Sequence, residues 1–150
     1  MATKNSVTRR APTSESQHKP RHPRPPDVRV RRAYDPPAPD DGYRVLVDRL
    51  WPRGVSRAAV ALDAWLKDVA PSDELRRWFA HDEARWSMFA ARYRDELTNP
   101  PAAGLVDELA ARAATGTVTL VFAARDEQHN NAVVLRDSLV QRARRAPRGR

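Results

Sequence analysis

Thr117-Val118-Thr119-Leu120-Val121-Phe122 runs directly into Ala123-Ala124-Arg125-Asp126. The first six residues are β-branched or apolar and read as a strand. A second run, Tyr43-Arg44-Val45-Leu46-Val47-Asp48, has the Val-Leu-Val centre expected of a strand buried on both faces. Helical spacing fills the chain between them, and a crossover of that length permits parallel pairing, with a right-handed connection. The expected class is α/β: a small, mostly parallel sheet of about three strands, a helical crossover block and a C-terminal helix.

Working outward, Val28 and Val30 alternate with Arg29 and Arg31, as in an edge strand. The Pro- and Gly-rich loop from Asp35 to Gly42 stops both helix and strand. Trp51-Pro52-Arg53-Gly54 turns the chain after the second run, and Ser56 is suited to cap a short turn. Leu62, Trp65, Leu66 and Val69 recur at i, i+3, i+4 and i+7, which predicts an amphipathic helix. Pro71-Ser72-Asp73-Glu74 ends it and opens another helix carrying Leu75, Trp78 and Phe79. Asp82 caps a third, with Trp86, Phe89, Tyr93 and Leu97 on one side. A fourth carries Leu105 and Leu109 and ends at Gly116. The last runs from about residue 130 to 142, with Ala132, Leu135 and Leu139 inward.

The charge is uneven. The chain has 150 residues and a formal charge of +8. Residues 1–27 hold six basic residues, two acidic ones and five prolines, and residues 142–150 hold five Arg and no acid. Residues 34–141, in contrast, hold 13 basic and 17 acidic residues. The expected organisation is a basic, Pro-rich disordered tail (1–27), one α/β domain (28–141) and a basic disordered tail (142–150), because neither tail offers apolar surface to offset ordering. Basic tails can contact nucleic acid weakly and nonspecifically through phosphate. The domain itself lacks the basic balance of a nucleic-acid-binding fold.

The absence of Cys excludes disulfides and thiolate chemistry. No apolar run reaches membrane-span length and no secretory signal is visible, so a cytoplasmic protein without membrane contact is expected. There is no Gly-rich phosphate loop. His81 and His129 are far apart in sequence and lack soft partners, so no metal and no cofactor are expected.

In open α/β sheets, ligands bind beyond the carboxyl ends of the strands. Those ends carry Asp48, Arg49, Trp51 and Arg53 after one run, and Arg125, Asp126 and Asn130 after the other. Arg49, Arg53 and Arg125 can hold a phosphate or carboxylate through guanidinium forks, or brace loops by pairing with acids. Trp51 can stack on a base or plug the sheet end. Asp48 and Asp126 are the only catalytic candidates, as an acid/base pair or as magnesium ligands beside substrate phosphates; each also suits a structural role, Asp126 as a helix cap.

One stretch carries a resemblance. Tyr34-Asp35-Pro36, then Asp41 through Asp48-Arg49-Leu50-Trp51-Pro52-Arg53-Gly54, resembles the YeaO-like branch of the bacterial domain-of-unknown-function 488 family. Ala61-Leu62-Asp63-Ala64-Trp65-Leu66-Lys67-Asp68, Pro71-Ser72, the Trp86/Phe89/Tyr93/Leu97 series and Ala124-Arg125-Asp126 with Asn130 continue it across residues 28–141. The resemblance implies no reaction. Distant relatives carry Cys-His-Arg near the start of the last helix, where this chain has His129-Asn130-Asn131. Two classes remain: binding of a small anionic, phosphorylated or nucleotide-like ligand at the strand ends, or a nucleic-acid-associated or regulatory role carried by the tails.

Overall fold

The structure, a computed structural model, describes residues 25–145. Four parallel strands form one sheet in the order β1-β4-β2-β3. They are β1 (Asp27–Arg32), β2 (Tyr43–Leu46), β3 (Ala64–Trp65) and β4 (Thr117–Phe122). The helices are α1 (Arg57–Val60), α2 (Asp73–Phe79), α3 (Trp86–Glu96), α4 (Ala102–Thr115) and α5 (Asn131–Arg145).

The pairing places β2 and β4 side by side, Tyr43 opposite Val118 and Leu46 opposite Val121. Val47 N–H continues the ladder by donating to the Val121 carbonyl at 3.1 Å. The two carboxyl ends therefore lie together. β1 forms one edge, with every residue partly exposed, as its alternating pattern predicts. The core has two faces. Val45, Val47, Val118, Leu120 and Phe122 pack with the buried residues of α2 to α5. Leu46 and Val121 point to the other face, where Ala33, Val60, Trp51 and Trp65 meet them. Val45, Leu46 and Val47 have no exposed surface, as a central strand requires.

The strand count differs from the expected three because residues 62–69 do not form a helix. Ala64–Trp65 is a short fourth strand and Lys67–Val69 a single 3₁₀ turn. Leu66 N–H donates to the Leu46 carbonyl (3.0 Å) and Asp63 N–H to the Arg44 carbonyl (2.8 Å). Pairing to the open edge of β2 satisfies the backbone that a helix would have satisfied internally.

Ser56 and Asp82 cap as their sequence positions predict, accepting from Ala59 and Ala84 N–H, and Ser72 at the predicted helix junction caps α2 by accepting from Leu75 N–H. Asp82 caps a 3₁₀ turn (Glu83–Arg85) that leads into α3. Gly42 adopts φ +66° against the Thr117 backbone, where a Cβ has no room. Beside it, buried Asp41 meets buried Arg44 at 2.6 Å and Arg31 at 3.3 Å, fixing the Pro-rich loop to the sheet. The Arg44 guanidinium also donates to the Val60 and Ala61 carbonyls.

α5 runs past the domain boundary drawn from sequence. Arg142, Arg144 and Arg145 lie in its last turn, and Arg142 pairs with Asp107 of α4 at 2.6 Å. Basic residues there oppose the negative end of the helix dipole. Of the tails expected at 1–27 and 142–150, Asp27 begins β1 and residues 142–145 belong to α5, while residues 1–24 and 146–150 lie outside the described residues. Among the described residues, no helix is long and apolar enough to cross a membrane.

Candidate functional site

A cavity of about 480 Å³ opens at the carboxyl ends of β2 and β4. Its walls come from the loop after β2 (Asp48 to Arg53), from Pro71, Arg76, Phe79 and His81 around α2, and from Ala123, Ala124, Asn130 and Asn131 before and within α5. Tyr34 and Phe89 complete it. Three arginines and one histidine line it, against a single carboxylate, Asp48.

That carboxylate is spoken for. Its Oδ2 accepts from Ala123 N–H at 2.9 Å and its Oδ1 from the Asn131 side-chain amide at 3.1 Å. The same Asn131 amide donates to the Val47 carbonyl (3.0 Å). Burial pushes the Asp48 carboxyl up, opposed by these two donors and by His81. Asp48 thus fastens the end of β2 to the end of β4 and to the first turn of α5.

Arg49 and Arg53 differ. The Arg49 guanidinium donates to the Pro71 and Ala70 carbonyls (3.3 and 3.4 Å) and lies 3.8 Å from Asp73, so it braces the segment before α2. Arg53 is exposed, and its guanidinium meets no acid among the described residues; its backbone carbonyl accepts from the Tyr34 hydroxyl at 3.0 Å. Arg125 lines a shallower adjoining pocket with Arg32, Tyr34, Arg53 and Ala123. The three arginines expected to share one pocket do not: Arg53 borders both, while Arg49 and Arg125 border one each.

The Trp51 indole N–H donates to the Val55 carbonyl at 2.7 Å, and its ring meets Trp65 edge-on at 5.3 Å. It anchors the loop while contributing to the cavity wall. Buried Asn130 caps α5, accepting from Val133 N–H (3.1 Å) and donating to the Asp126 carbonyl (2.9 Å). Asp126 lies outside the cavity lining. Its Oδ1 accepts from Gln128 and His129 N–H, and its Oδ2 is 2.9 Å from His129 Nδ1. Those donors hold its carboxyl below the usual range. Asp48 and Asp126 thus occupy different environments.

Arg76 and His81 are among the cavity residues that escaped the sequence reading of the site. Arg76 reaches the wall from α2, held by Asp73 at 3.2 Å. His81 follows α2 with φ +56°, after Ala80 at φ +46°. A polar residue two positions beyond a helix end is the signal of such a turn, but only the docking of α2 over the strand ends shows that it faces a cavity.

Residues 27–149 match the family described as the Inactive DUF488-N3 subclade. An uncharacterised protein of Mycobacterium tuberculosis is 44% identical over 108 residues, covering 72% of this chain and 89% of the relative. The uncharacterised protein YeaO of Escherichia coli is 40% identical over 113 residues, covering 75% of this chain and 96% of the relative. No solved structure matches the chain significantly.

Proposed function

The chain belongs to the inactive DUF488-N3 subclade, and from that premise we propose that it binds a small anionic ligand, phosphorylated or nucleotide-like, at the strand ends without transforming it. The observation that carries this reading is the makeup of the cavity wall: Arg49 and Arg76, both beside Asp73, and Arg53 line it with one carboxylate already bound to two donors. Arg53, free of acidic partners among the described residues, is the group available to a ligand. A planar guanidinium matches phosphate or carboxylate with two parallel hydrogen bonds. Leu50, Trp51, Pro52, Phe79 and Phe89 give the same cavity apolar surface, which suits a ligand with a flat or apolar part beside its charge.

Absence of turnover is supported by the subclade's description and by the lack of any Cys. It is also supported by the engagement of both catalytic candidates, Asp48 by the sheet ends and Asp126 by its own loop. The test is thermal unfolding of the full chain with inorganic phosphate, nucleoside monophosphates, sugar phosphates and short oligonucleotides. A ligand at a hundredfold its Kd adds about 2.7 kcal/mol, roughly 5–10 °C for a chain of this size. Stabilisation by a small anion supports the reading. Stabilisation by oligonucleotides alone, with a steep salt dependence, assigns binding to the tails instead.

A further inference from the structure

We propose that Glu83, Asp126 and His129 form a binding site for a divalent transition-metal ion of the zinc type. The three come from two segments far apart in sequence. Glu83 begins the 3₁₀ turn before α3, and Asp126 and His129 lie in the loop before α5. One donor atom from each lies within 4.8 Å of the others. His129 Nδ1 is 2.9 Å from Asp126 Oδ2 and 3.9 Å from Glu83 Oε2.

The shorter separation is a hydrogen bond between imidazole and carboxylate. Two ligands about 2.0–2.1 Å from one tetrahedral ion stand roughly 3.3 Å apart, so the pair opens by a few tenths of an ångström when an ion replaces the shared proton. The Glu83 side chain is 70% exposed and has the freedom to close the wider gap. Two of the three groups are already oriented. Asp126 Oδ1 is held by the Gln128 and His129 N–H groups, which turns Oδ2 toward the imidazole. The His129 ring sits edge-on against Trp86 at 5.1 Å. Outer contacts of this kind fix ligand orientation in metal sites.

One imidazole nitrogen and two carboxylate oxygens, without a thiolate, suit Zn²⁺, Co²⁺ or Ni²⁺ rather than softer ions. On binding, the neutral imidazole carries its proton on Nε2 and offers the Nδ1 lone pair to the ion. Water completes the coordination. The ion ties the turn at Glu83 to the loop before α5, next to the two cavity-lining residues His81 and Asn130.

The experiment is calorimetric titration of the full chain with ZnCl₂, repeated on Glu83→Gln and His129→Gln. CoCl₂ titration monitored by tryptophan fluorescence accompanies it, because Trp86 adjoins the site. The expected result is one ion per chain, quenching by cobalt, and affinity reduced by about tenfold or more in each variant. Glu83→Gln changes an exposed group, so its folding transition stays that of the parent. Absence of zinc binding overturns the proposal. So does binding of equal strength in both variants, which assigns the ion to other groups such as His18 and His22.

Discussion

The Asp48 carboxylate and the Asn131 side-chain amide lie 3.1 Å apart and join the end of β2 to the first turn of α5. The second carboxylate oxygen takes Ala123 N–H at 2.9 Å, so one side chain closes the sheet end on both sides. Replacing it with Asn turns one acceptor into an NH₂ facing a donor. Asp48→Asn should cost about 1–3 kcal/mol in urea unfolding, the penalty of a buried donor left unmade.

Asn130 belongs to the same junction. Its side chain caps α5 through Val133 N–H. Asn130→Ala should destabilise by about 0.5–2 kcal/mol, the usual loss for an N-cap. A glycine at the same position should recover most of that loss, which distinguishes a cap from a ligand contact.

At the opposite end of the strands, acid sensitivity should concentrate on Asp41. Burial alone would raise its carboxyl, but Ala38 N–H, Arg44 and Arg31 outweigh burial and hold it below its ordinary value. A depressed folded-state pKa means that Asp41 stabilises the fold above the unfolded value of about 3.9. That contribution is lost as pH falls through the folded value. Asp41→Asn leaves the buried Arg44 charge uncompensated and should cost about 3–5 kcal/mol at neutral pH. Its stability curve below about pH 4 should be flatter than the parent's, as measured by urea unfolding across pH.

Arg49 and Arg53 should separate in their effects. Arg49 bonds the Pro71 and Ala70 carbonyls, so Arg49→Ala should lower stability by about 1–2 kcal/mol. Arg53 is exposed and meets no acid among the described residues, so Arg53→Ala should change stability by less than about 0.5 kcal/mol. Parallel denaturant curves of the two variants check this.

The sheet was legible where chemistry is local. Thr117–Phe122 and the Val45-Leu46-Val47 run carry their strand preference in their own side chains, and Ser56 and Asp82 announce their caps. Residues 62–69 were not, because Leu62, Trp65, Leu66 and Val69 imitate a helical stripe. What overrides that spacing is the free edge of β2 and the Trp65 indole donating to the Asp48 carbonyl at 2.8 Å. At the site, the rule of strand carboxyl ends brought Asp48, Arg49, Trp51, Arg53 and Asn130 to one cavity. It did not separate Arg125 into the neighbouring pocket, nor supply Arg76 and His81. Those positions depend on how α2 docks, which no short-range pattern encodes.

The most direct test of anion binding at the strand ends is calorimetric titration of the full chain with the anion that stabilises it most, in parallel with Arg53→Ala. One site per chain is expected in the parent, with binding about tenfold or more weaker in the variant, as loss of a charge-assisted hydrogen bond requires, and unchanged unfolding. Equal affinity in parent and Arg53→Ala, or no binding by any small anion, would contradict anion binding at this site.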